Sequence, residues 1–123
     1  MRRNMLRTLA SAIGALLLST TALAHHGAAS LYDLRKEVTM KATITEFLWA
    51  NPHVELGIAP IDAKGTAWLL ELGSPPNIGN RGWTSKTVKP GDAVTVTFNP
   101  SSHGLKTGLF LKLILPNGKE MLR

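Results

Sequence analysis

Four histidines are the residues best suited to chemistry: His25, His26, His53 and His103. His25 directly follows Ala22-Leu23-Ala24, a small-residue cleavage site of the Ala-x-Ala kind. Cleavage there would make His25 the first residue, with a free amine and an imidazole on one side chain. Amine and imidazole nitrogens together chelate Cu(II), the ion at the head of the divalent affinity order. His26 can add its amide and its own imidazole. His53 follows Asn51-Pro52, where proline interrupts a strand ladder and lets a side chain leave it. His25, His26 and His53 are therefore the expected metal ligands, with copper the expected ion. Against this, a His-His pair at a chain terminus is commonly just solvated. His103, between Ser102 and Gly104, reads as a loop residue.

A second set of residues suggests a different use. Trp49, Arg81 and Trp83 fall at predicted element ends, where loops present binding residues. They define the alternative function, a metal-free module that binds a protein or another envelope component. The plainer reading has both tryptophans plugging the mouths of a barrel. Arg81, Trp83, Lys86 and Lys89 also form a loosely basic stretch of the kind that grips single strands. Aromatics make up only 6% of the chain, and export would remove it from nucleic acid, so no nucleic-acid partner is expected. Catalytic arrangements are missing from the sequence: there is no G-x-S-x-G, H-E-x-x-H or glycine-rich phosphate loop. Asp33, Glu46, Glu55 and Glu71 look scattered and solvated. The chain is not expected to be an enzyme.

These residues must be carried by 123 positions, enough for one small domain. Met1 to Arg7 is basic, Leu9 to Leu18 apolar, and Ala22 to Ala24 small, the three parts of a secretory signal peptide in order. The apolar stretch is about half of the roughly 20 residues a span requires. A periplasmic protein without a membrane span in its mature part is expected. With no cysteine, disulfides, thiolate metal sites and lipid attachment at cysteine are all excluded. The formal charge is +6, but Arg2, Arg3 and Arg7 belong to the leader, so the remainder is only mildly basic.

The organisation expected is a signal peptide at 1–24, an N-terminal arm at 25–37 and a domain at 38–123. Leu31 to Leu34 leads into that domain. Val38, Met40, Ala42 and Ile44 alternate with polar residues as in a half-buried strand, and the pattern slips at Glu46 to Trp49, where a bulge is expected. Val54, Leu56 and Ile58 resume it, Asp62 to Gly65 reads as a hairpin turn, and Trp68, Leu70 and Leu72 follow. Ser74-Pro75 opens a short helix that Gly82 could end, Thr84 caps a further turn, and Lys89-Pro90-Gly91-Asp92 is a tight turn. Val94, Val96 and Phe98 make strand four, and Leu105 to Leu115 strand five, ending at Pro116-Asn117-Gly118. The fold class is mainly β: a small five-stranded OB-like barrel with one short helical connection between strands 3 and 4. An open sandwich is the competitor, and closure has the advantage of hiding edges. Val38, Met40, Ile44, Leu56, Trp68, Leu70, Val94, Val96 and Leu113 are expected in the core.

His25-His26-Gly27, Val38-Thr39-Met40-Lys41, Trp49-Ala50-Asn51-Pro52-His53, Gly73-Ser74-Pro75, Arg81-Gly82-Trp83-Thr84 and Lys89-Pro90-Gly91-Asp92 stand in a fixed order. In this the chain resembles a family of small exported proteobacterial proteins, a domain of unknown function. The resemblance covers essentially all of the chain after the leader. It implies a periplasmic single domain with a signal peptide and brings no established activity. Members usually have a firmer helix after Ser-Pro, where this chain has Pro76 and Gly79.

Overall fold

The computed structural model describes residues 27–62 and 65–123; the leader, His25 and His26 lie outside the described residues. Residues 31–123 form one compact unit. Its strands are β1 (Val38–Leu48), β2 (Glu55–Pro60), β3 (Trp68–Glu71), β4 (Ala93–Pro100), β5 (Thr107–Ile114) and β6 (Glu120–Leu122). One short helix, α1 (Pro75–Gly79), joins β3 to β4. β1 pairs with β2 and with β4, β4 pairs with β5, and β3 pairs with β2. A parallel pairing of β3 with β5 closes the ring, so the first five strands make a barrel and the sandwich alternative is excluded.

β1 serves both halves of the barrel because it changes partners along its length. Val38 to Thr43 face β4, and Ala42 to Leu48 face β2. The register shifts between Ile44 and Glu46, the bulge expected from the slipped alternation. Gly57 lies opposite that bulge. A Cβ there would meet Thr45 Oγ1 at 2.7 Å, so the crowded turn of β1 requires glycine across from it. Val38 and Met40 are half-buried rather than core, because this end of β1 extends beyond β2, whose pairing starts at Ala42–Pro60. Trp68 is also half-buried: as the first residue of β3 it sits at the rim, its ring 5.0 Å from that of Phe98.

The other expected core residues are buried, together with Val54, Leu72, Ile78, Trp83, Phe98 and Phe110. Fully burying a side chain of this size contributes roughly 1.5–3 kcal/mol, which must hold a domain without disulfides. Ser74 occupies the N-cap position of α1 with Pro75 next, as expected, but its side chain makes no capping bond. Pro75 and Pro76 have removed the N–H groups of the first two helical positions. Gly82, at φ +89°, turns the chain out of the helical connection. In the Lys89–Asp92 turn, the Lys89 ammonium lies 2.7 Å from Asp92 Oδ1, and this bond holds the Asp92 carboxyl below its ordinary range.

Two features were not expected. Strand five starts at Thr107, leaving Leu105 and Lys106 in the β4–β5 loop. The Pro116-Asn117-Gly118 turn does not end the sheet but leads into β6, which pairs with the second half of β5.

Candidate functional site

His53 stands just before β2, and Glu71 is the last residue of β3. The hairpin register sets Glu55 opposite Glu71, so a residue two positions before Glu55 comes beside the same carboxylate. His53 Nδ1 lies 3.3 Å from Glu71 Oε1. The other carboxylate oxygen, Oε2, accepts a hydrogen bond of 2.9 Å from the hydroxyl of Tyr32. One carboxylate thus joins the lead-in segment, β3 and the β1–β2 loop.

The lead-in is fixed to the barrel by more than this bond. Asp33 N donates to the Pro100 carbonyl at 2.9 Å, and the buried Asn99 donates its Nδ2 to the Lys36 carbonyl at 2.8 Å. Tyr32 is itself buried and bridges to Ser101. Burial first, then the bond to the Glu71 carboxylate and its negative charge, push the phenol up to about 12. The hydroxyl therefore remains a proton donor to Glu71 throughout the neutral range. By sequence Glu71 reads as a solvated charge; in the fold it is the hub of this cluster. Counting outward from the Asp62–Gly65 turn would have found it, since hairpin pairing brings the two strand ends together.

Half of the His53 side-chain surface is exposed. Among the described residues its Nε2 has no hydrogen-bond partner, so the imidazole is oriented through one nitrogen and open at the other. No group of three His, Cys, Asp or Glu among the described residues could hold a metal ion by itself. His103 is exposed in the β4–β5 loop, its backbone N–H donating to Ser101 Oγ.

The tryptophan face is not assembled as expected. Trp83 is 2% exposed, packed edge-on against Phe110 at 5.4 Å, with Nε1 donating to the Leu122 carbonyl at 2.7 Å. It plugs the barrel and cannot present a ring to a partner. Trp49 is half-buried, 6.0 Å from Phe47, and Arg81 is exposed with its guanidinium bonded to the Arg123 carbonyl. No helix among the described residues is long and apolar enough to cross a membrane.

Among solved structures, the chain is similar to the mitochondrial single-stranded DNA-binding protein of S. cerevisiae. The identity is 15%, the likeness covers 66% of this chain and 93% of that one, and the TM-score is 0.50. At that identity the likeness shows the barrel fold alone. No curated protein matches the chain. Residues 14–111 match a family of unknown function, DUF6152.

Proposed function

Because the chain belongs to that family, whose description carries no activity, we propose a function from its own residues: a small exported binding protein that holds Cu(II). The chelate is the amine and imidazole of His25 together with His26, and His53 is the further imidazole the barrel offers. The observation that supports this reading is the His53–Glu71 pair. Metal-ligating imidazoles characteristically give their other nitrogen to a carboxylate, which fixes the ring and raises the basicity of the ligating nitrogen. Tyr32 secures the carboxylate in turn. Nitrogen donors without a thiolate suit Cu(II). With no second catalytic group in the cluster, the role is to hold or pass the ion in the periplasm, not to turn over a substrate. The alternative module that binds a protein through Trp49, Arg81 and Trp83 loses its central ring to the core.

The test is a Cu(II) titration of protein processed to His25, of the same protein with its His25 amine acetylated, and of His53→Ala. The expected result is tightest binding by the processed protein, with weakening in both variants and on acidification, since amine and imidazole nitrogens must lose protons to ligate. Equal binding by all three, or binding no tighter than by a generic histidine-containing peptide, overturns the reading.

A further inference from the structure

A groove of about 290 Å³ runs along the β4–β5 loop, between Trp68 and the backbone from Pro100 to Lys106. Its chemistry is mixed. Trp68 supplies an indole that is only half-buried, and Ser101, Ser102, Lys36 and Lys106 are among the other residues that line the groove. Asp33 also lines it, but its carboxylate is shared with Arg35 at 3.5 Å. Neither Lys36 nor Lys106 has an acidic partner among the described residues. The Lys106 ammonium instead rests over the Trp68 ring, 4.6 Å from its centre.

We propose that this groove binds an acidic saccharide, one or two sugar rings bearing a carboxylate. The position of Lys106 shows that the electron-rich face of the indole is reachable from the groove, since a cation is drawn to that face. The polarised C–H face of a sugar ring is attracted by the same quadrupole and can take the ammonium's place. Lys106, once displaced, is free to pair with the ligand's carboxylate, as is Lys36, so stacking and charge pairing are gained in one rearrangement. Ser101 and Ser102 supply hydroxyls matched to hydroxyl-rich ligands. Single-stranded nucleic acid fits less well, because it is gripped by successive aromatics along a basic track and this groove has one indole. The site is separate from the copper reading and stands without it.

The experiment is a titration of copper-free protein with trigalacturonate, with maltotriose as the neutral counterpart and hexathymidylate as the nucleic-acid one. Binding is read from the Trp68 indole N–H and the amide signals of residues 101–106. The expected result is a saturable shift with trigalacturonate only, weakened by roughly tenfold in Lys36→Gln with Lys106→Gln, as for loss of a charge-assisted bond. Both lysines are exposed or loop residues, and unchanged signals from β1 and β2 show that the variant is folded. No saturable shift, an equal response to maltotriose, or tighter binding of hexathymidylate overturns the proposal.

Discussion

Tyr32 is the single tyrosine of the chain, so its ionisation can be followed by ultraviolet absorbance with no other phenol contributing. Its folded value of about 12 lies above the ordinary value near 10. Folding favours the neutral phenol, so the stability this group contributes is fully present below about pH 10 and is lost as pH rises through about 12. The native protein is expected to titrate near 12 and the urea-unfolded chain near 10. Replacing Glu71 by glutamine removes the charge and the strongest acceptor, leaving burial as the main cause, so the native midpoint should fall part of the way. A midpoint unmoved by Glu71→Gln would mean that the carboxylate does not hold the hydroxyl. The same substitution bears on His53, whose ring then lacks its anionic support.

At the scale of elements, the closing contact of the barrel leaves no space for a side chain at Gly108. A Cβ there would press on the Phe98 ring and meet Leu70 Cδ2 at 3.0 Å and the Asn99 carbonyl at 3.1 Å. Gly108→Ala is expected to cost about 1–3 kcal/mol by overpacking, measured as a lower urea midpoint with an unchanged slope. Much of this architecture was legible in the alternation of β1, β2 and β4, in the expected pairing of β2 with β3, and in the turn at Lys89–Asp92. β6 was not, because three residues with one buried side chain, Met121, are too short to show a period. Trp83 was misplaced for a related reason: it lies in an irregular connection, where no periodicity distinguishes an inward from an outward ring. The His53–Glu71–Tyr32 cluster joins residues far apart in sequence, and only strand register brings them together. His25 and His26, outside the described residues, stand where the sequence left them.

For the molecule as a whole, stability depends on the ring of strands remaining closed. Leu70 lies at the seam, fully buried, paired across to Leu56 on one side and Gly108 on the other. Leu70→Ala is expected to cost about 2–5 kcal/mol, a large part of the margin of a domain this small, read by thermal or urea unfolding. Among the described residues, closure leaves one strand with an unpaired side: β6 has β5 as its only strand neighbour there. There the Trp83 indole N–H occupies the Leu122 carbonyl and the Arg81 guanidinium that of Arg123. The Leu122 carbonyl, in β6, is one of the acceptors an incoming strand would need to extend the sheet from one molecule into the next. The tryptophan that fills the barrel therefore also withholds one of the acceptors through which crowded copies of this protein could join edge to edge.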